Sequence, residues 1–224
     1  ADDHSEFVYK RLIKGFPYIE DPGFLDFLNQ VIRENGIDCV YPAHDSASVF
    51  FSEHRDEIQA QVIIAEPFTT TVCRSKAETY RYLSEYDFIP KIYPGTESVE
   101  SYPVFVKPSV GQGSKGACKI GSRRELEEAL GADKNLVICE YLPGMEYTVD
   151  CFTDGKGKLL ACKFRDRERI RSGIAVRSKS LECPEEVQNI AHILNGRFAF
   201  KGAWFFQIKL AQNGRYKLLE ISPR

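Results

Sequence analysis

YPVFVKPSVGQGSKGACKI, residues 102–120, is the stretch on which the fold turns. Inside it, Gly111-Gln112-Gly113-Ser114-Lys115-Gly116 spells G-x-G-x-x-G. A dinucleotide fingerprint needs a strand, then the glycines, then a helix whose N-terminus meets the pyrophosphate. Here the glycines run into Ala117-Cys118-Lys119-Ile120, a strand-like segment, and the next helix signal comes only at Ser122. A P-loop needs Lys after its last glycine, and Ala117 stands there.

One arrangement survives. Glycines at the tip of a strand–loop–strand hairpin lie flat over a triphosphate, as in the glycine-rich loop of protein kinases. Without side chains, their backbone N–H groups approach phosphate oxygens. Lys107 on the preceding strand and Lys115 in the loop supply charge. A kinase proper is excluded. His54-Arg55-Asp56 precedes the glycines, Gln61 sits where a metal-binding Asn belongs, and no Asp-Phe-Gly comes later. That tripeptide reads as helix surface. The bland alternative for the glycines is a flexible hairpin tip.

Outward from this stretch the chain alternates. Residues 23–35 place Phe24, Leu25, Leu28, Val31 and Ile32 on one helical face, and Gly36 ends the helix. IDCVYP (37–42) and QVIIAEP (61–67) read as buried strands around a helix, a β-α-β rhythm typical of a parallel sheet. Ser75 with Glu78, and Ser122 with Glu125, are capping boxes that open helices, the first running to about Tyr86. Strands are expected at 103–108, 136–142, 146–152 and 158–165, and an amphipathic helix at 184–195 before Gly196. A final hairpin turns at Asn213-Gly214.

The composition narrows the class. The 224 residues carry a net charge of −2, so no basic field points to nucleic acid. The seven cysteines form no C-x-x-C pair and read as reduced, buried small hydrophobes of a cytoplasmic protein. The four histidines lack ligand spacing, which argues against zinc. No apolar run reaches the roughly 18–20 residues of a membrane helix, and no signal peptide is visible. The chain starts without Met and ends on Ser-Pro-Arg directly after a strand, which reads as a chain cut at both ends.

Taken in order, VFVKPSVGQGSKG, VICEYLPGMEYTVD and FFQIKLAQNGRYKLLEISPR resemble the ATP-grasp superfamily. The nearest branches are its carboxylate–amine ligases and its carbamoyl-phosphate-synthase-like members. SKAETYRYL resembles that family's Lys-containing helix, and GIDCVYPAHDSAS the end of the domain before the grasp. The resemblance covers about residues 37–224. It implies an α/β fold: an ATP-grasp of two α+β lobes, 71–142 and 143–224, after a partial Rossmann-like parallel-sheet (pre-ATP-grasp) domain at 1–70.

The resemblance also implies roles. Lys76 and Lys107 neutralise ATP phosphates beneath Gly111, Gly113, Ser114 and Gly116. Glu140, Tyr141 and Leu142 form the hinge that reads the adenine edge, with Cys139 where the family often has an acid. Glu146 accepts the ribose hydroxyls. Gln207, Glu220 and Ser222 stand at the metal positions, Ser222 replacing the family's Asn. Arg167 and Arg171 resemble an anion-binding arginine segment, and Arg224 the last residue of E-x-N-P-R. ATP and Mg²⁺ are the implied cofactors. A carboxylate and an amine are the implied substrates, without nucleic acid or membrane, and a homodimer is among the assemblies left open.

Two stretches can be judged on geometry. If Asn213-Gly214 is a two-residue turn, Gln212 pairs with Arg215, and five steps back Gln207 faces Glu220. Two oxygen donors there suit Mg²⁺. In KFRDRERIRSG, Lys163, Arg165, Arg167, Arg169 and Arg171 alternate and would share one strand face. Like charges so placed repel unless an anion lies against them; the plain alternative is a solvated loop.

The expected activity is ATP-dependent carbon–nitrogen ligation. A carboxylate is activated as an acyl phosphate with release of ADP, and an amine then displaces phosphate. The alternatives are a carbamoyl-phosphate-synthase-like kinase and a nucleotide-binding module without turnover.

Overall fold

The computed structural model describes residues 8–171 and 173–224. Its first part is a small βα unit. Helix α1 (Phe24–Asn35) ends at Gly36, whose φ of 59° is the left-handed conformation glycine adopts freely. Strands β1 (Cys39–Val40) and β2 (Gln61–Val62) pair in parallel across α2 (Asp45–Glu53). The expected β-α-β order holds, with much shorter strands. Phe24, Leu28, Ile32, Phe51 and Ile58 form the core of this unit. His54-Arg55-Asp56 lies just beyond α2, not on it. Arg55 turns to Glu66 at 2.9 Å and to the Ala65 carbonyl at 2.8 Å.

Two helices come next. Helix α3 (Pro67–Arg74) was not anticipated: its three threonines are poor helix formers, and Pro67 at the first turn was the available signal. Helix α4 (Lys76–Tyr82) starts where its capping box predicts, with the Ser75 hydroxyl accepting from the Glu78 N–H, but stops a turn early.

Two antiparallel sheets build the rest. The first is made of β3 (Ile92–Tyr93), β4 (Val104–Pro108), β5 (Cys118–Ile120) and β6 (Leu136–Glu140). Their order is β3-β6-β4-β5. Helix α5 (Arg123–Ala132) covers this sheet, capped by Ser122. Strands β4 and β5 pair antiparallel from Val104–Ile120 to Val106–Cys118, so the glycine stretch is a hairpin loop, as its context demanded.

The second sheet is built from β7 (Glu146–Thr153), β8 (Leu159–Asp166), β11 (Ser180–Leu181), β12 (Gly202–Leu210) and β13 (Tyr216–Pro223). Their order is β11-β8-β7-β12-β13. Between β8 and β11 a separate hairpin projects, β9 (Arg169–Arg171) with β10 (Ile174–Arg177). The arginine ladder is therefore broken after Asp166 and does not run as one strand.

Alternation on β12 sorts its side chains. Trp204, Phe206 and Ile208 are buried in the main core with Val149, Leu218 and Ile221. Helix α6 (Glu185–Arg197) closes that core with Val187, Ile190, Ala191 and Leu194, and includes Gly196 in its last turn. Cys73, Tyr80 and Leu83 of the α3–α4 region join the same core. Phe205, Gln207 and Lys209 take the opposite face.

Candidate nucleotide and metal site

The site is organised by one irregularity in β13. From the hairpin loop, Leu210 pairs with Tyr216, Lys209 with Lys217 and Ile208 with Leu218; the register then shifts, and Gln207 pairs with Glu220. The loop differs from expectation by one residue: the Ala211 N–H, not Gln212, meets the Arg215 carbonyl at 2.9 Å. A β-bulge at Leu219 absorbs that residue and restores the Gln207–Glu220 pairing. Without it, strict alternation from buried Leu218 would turn Glu220 into the core. The bulge does a second thing. The Leu219 carbonyl accepts from the Tyr80 hydroxyl at 2.6 Å and from Lys107 Nζ at 3.1 Å.

Lys107 is only 6% exposed. Its ammonium also donates to the Tyr80 oxygen at 2.6 Å and lies 5.1 Å from the centre of that ring. Burial pulls its pKa below the ordinary value, with the Lys76 charge acting in the same direction and Cys139, Glu220 and Glu146 opposing. Burial likewise pushes Tyr80 well up, so it stays a neutral hydroxyl. Tyr80 was missed in the sequence, although it lies one turn after Lys76 on the same helix.

Lys76 reaches across the site. Its Nζ stands 3.2 Å from Glu220 Oε2 and donates to the Gly111 carbonyl at 3.3 Å. The Ser75 and Ser109 hydroxyls, 2.9 Å apart, join the start of α4 to the glycine loop. Within that loop Gly113, Ser114 and Gly116 have φ of 66°, 58° and 72°. A Cβ on Gly116 would come within 3.0 Å of the Pro108 ring.

These elements enclose a cavity of about 180 Å³. Its lining combines the apolar side chains of Pro90, Phe105 and Leu142, with Cys139, and the polar and charged side chains of Lys76, Lys107, Gln207, Lys209 and Glu220. Gly111, Gly113 and Ser114 cover it, and Glu140 and Glu146 complete the wall. Lys209 was also overlooked; it sits two residues from Gln207 and directly opposite Glu146 on β7. Ligand pockets usually measure about 300–1,000 Å³, so this one is drawn tight.

The remaining predicted residues lie off this wall. Tyr141 carries Lys119 Nζ 4.5 Å over its ring. Ser222 is buried and lines a smaller neighbouring cavity with Asp45, Lys76 and Glu220. Arg167 is taken up by an anion of the chain itself. Its guanidinium is bonded to Glu146 and to the Gly173 carbonyl, and its side chain is 4% exposed. Arg171 is exposed on the β9–β10 hairpin, and Arg165 pairs with Asp150 on β7 at 2.6 Å. Arg224 stands 2.9 Å from Asp45, donates to the Ala43 carbonyl at 3.0 Å and packs 5.2 Å from the Phe205 ring. Carboxylates and carbonyls of the chain itself hold Arg165, Arg167 and Arg224.

The donors suit a hard cation. Gln207 and Glu220 offer oxygens side by side, and the Lys76 ammonium already stands against Glu220 as a cation would. Among the described residues no cluster of three or more His, Cys, Asp or Glu forms a self-sufficient metal cage. A cation held here draws its other ligands from elsewhere.

The chain as a whole superposes on known structures. N5-carboxyaminoimidazole synthetase from Staphylococcus aureus, solved with ADP, superposes with a TM-score of 0.73 at 14% identity, over 93% of this chain and 58% of that one. L-amino acid ligase from Bacillus licheniformis gives 0.67 at 20% identity, over 93% and 55%. The fold is that of the ATP-grasp superfamily. A family model described as ATP-grasp in the biosynthetic pathway with Ter operon matches residues 132–224, which include the ATP-grasp terminal hairpin. D-alanine–D-alanine ligase of Thermotoga petrophila is 28% identical over 171 residues, 68% of this chain and 54% of that protein. The chain thus spans about half the length of this ATP-grasp relative. Among the described residues no helix is long and apolar enough to cross a membrane.

Proposed function

We propose that this chain is the nucleotide-binding part of an ATP-dependent, ADP-forming carbon–nitrogen ligase that activates a carboxylate as an acyl phosphate for attack by an amine. The observation that carries the reading is the mixed lining of one cavity. Its apolar residues suit a flat heteroaromatic ring, and Lys76, Gln207 and Glu220 gather in it with Lys107. The ligases that share its fold or sequence support the reading.

In this reading the hinge from Glu140 through Tyr141 to Leu142 meets the ring edge, and Glu146 meets the ribose. Lys76 and Lys107 neutralise phosphate oxygens under Gly111, Gly113, Ser114 and Gly116. Gln207 and Glu220 hold Mg²⁺, with Ser222 near enough to contribute through water; the ion would supply charge neutralisation on the transferring phosphoryl group. No covalent protein nucleophile is required, because positioning and charge carry the reaction. The division into 1–70, 71–142 and 143–224 belongs to the same reading, with α3 and α4 tying the lobes together. Arg167, Arg171 and Arg224 serve substrate anions, Arg167 and Arg224 only after leaving their present partners.

Binding needs three contacts to yield. Lys76 must leave Glu220, the ion pair of Arg167 with Glu146 must open toward the ribose, and Gly113 must part from Gly173. The test is ADP release by the full-length protein with Mg²⁺, against pooled carboxylates with and without pooled amines. Release that requires both pools supports the ligase; Lys107→Ala and Glu220→Ala are expected to abolish it with the fold intact. Near-normal release by either variant would sink the assignment. A second reading, nucleotide binding without turnover, is favoured by Ser222 lying off the main cavity wall. It predicts ATP binding by calorimetry with no ADP released.

A further inference from the structure

Three of the cysteines meet at one register position of the second sheet. Cys151 on β7 is directly opposite Cys162 on β8. On the other side of β8, Ser180 pairs with Arg165 and Leu181 with Phe164. Two further steps along that antiparallel register bring Cys183 opposite Cys162. The two sulfurs lie 3.8 Å apart, although the residues are 21 positions apart in the chain. The row runs from the core outward. Cys151 is buried, while Cys162 and Cys183 are partly exposed. No residue assigned to the nucleotide site belongs to it.

We propose that Cys162 and Cys183 are a modification site, a dithiol that a hydroperoxide converts to a reversible disulfide while Cys151 stays reduced. Cys162 is the attacking sulfur. Hydrogen bonds from Cys151 and Cys183 and the charge of Lys163, offset in part by burial, bring its thiol down to about 7. Burial first, then the neighbouring Cys162 charge, pushes Cys183 up to about 12. The Cys162 thiolate attacks one peroxide oxygen and the O–O bond breaks. This gives a sulfenic acid on Cys162, and the leaving hydroxide or alkoxide takes a proton. The charge that raised Cys183 is then gone. Its sulfur attacks the sulfenic sulfur, and water leaves with the thiol proton. Two thiols are oxidised, one peroxide is reduced, and the products are the disulfide and two molecules of water, or water and an alcohol.

The bond would clasp the base of the β9–β10 hairpin. That hairpin carries Gly173, where an added Cβ would lie 2.5 Å from the Gly113 backbone. Its Gly173 carbonyl also accepts from Arg167, which holds Glu146. Oxidation of this pair would therefore fasten the segment that rests on the glycine loop.

The sequence makes the test simple, because trypsin places the three cysteines in different peptides: 135–156, 159–163 and 180–197. Folded protein is treated with hydrogen peroxide, blocked with N-ethylmaleimide and digested without reductant. The expected product is 159–163 linked to 180–197, lost on dithiothreitol treatment and not formed when the protein is oxidised in urea. In Cys183→Ser, a dimedone-trapped sulfenic acid is expected on Cys162. A link from 159–163 to 135–156, irreversible sulfinic acid on wild-type Cys162, or an unreacted Cys162 would overturn the proposal. So would a Cys183→Ser variant that traps no sulfenic acid. None of these readouts depends on ATP turnover.

Discussion

Replacing Tyr80 by Phe keeps the ring and removes one oxygen. That oxygen accepts from Lys107 at 2.6 Å and donates to the Leu219 carbonyl at 2.6 Å. The first bond involves an ion and is worth about 1.5–3 kcal/mol; the second is neutral and worth about 0.5–1.5 kcal/mol. The ring's attraction for the ammonium survives, because Phe retains it. The Leu219 carbonyl keeps Lys107 as a donor at 3.1 Å, so it is not orphaned. The expected loss is therefore about 2–4 kcal/mol, roughly 30- to 900-fold in the unfolding constant. Urea denaturation measures it. Pairing the change with Lys107→Met in a double-mutant cycle isolates the ionic bond, with an expected coupling of about 1.5–3 kcal/mol. A Tyr80→Phe loss below about 0.5 kcal/mol, the range of an inconsequential surface change, would refute the bulge–tyrosine–lysine network. So would a coupling of zero.

Gly116→Ala introduces a Cβ at φ 72° and 3.0 Å from the Pro108 ring, and should cost about 1–2 kcal/mol by the same denaturation assay. Lys76→Met frees Glu220 from its 3.2 Å partner. Titration calorimetry with Mg²⁺ alone should show several-fold tighter binding than wild type, from a pair worth about 1 kcal/mol, while nucleotide affinity falls. Stability should depend on pH through Lys107. Because burial lowers its folded pKa, the unfolded chain binds more protons between that depressed value and the ordinary 10.5. Stability should rise with pH across that window, the full cost lying below it, and Lys107→Met should flatten the rise in urea melts run up to pH 10.5.

Much of the architecture was readable because its signals are local. Ser75 and Ser122 cap their helices through side-chain oxygens three residues from a Glu, and chemistry at that spacing needs no tertiary context. The glycine hairpin was readable because the residues after Gly116 suit a strand and not a helix. Other features depend on partners distant in sequence. Nothing near Arg167 announces that Glu146 and Gly173 will hold it. The broken arginine ladder shows the same limit: alternation predicts a shared face only while the strand continues, and β8 stops at Asp166. The cysteine row is subtler. No short motif joins residues 151, 162 and 183, and only the pairing of three strands aligns them.

The terminal hairpin shows how a correct pairing can rest on an incomplete geometry. Counting back from a two-residue turn places Gln207 opposite Glu220, and the pair is there. The turn is wider by one residue, so the count succeeds only because Leu219 bulges. A regular hairpin with the observed loop would set Gln207 opposite Leu219 and send Glu220 to the core side. The bulge therefore fixes three things together: the carboxylate faces the cavity, it sits beside Gln207, and a backbone carbonyl is released for Tyr80 and Lys107. Deleting Leu219 restores a regular strand but leaves Glu220 directly after Leu218, beside Gln207 and on the cavity face, so it removes the third feature alone. That deletion should unfold at lower urea than wild type while Mg²⁺ binding by calorimetry persists, whereas Glu220→Gln, which loses one charge and keeps the geometry, should weaken Mg²⁺ binding with less effect on stability. If the deletion variant is as stable as wild type, the bulge carbonyl is incidental and the carboxylate alone matters.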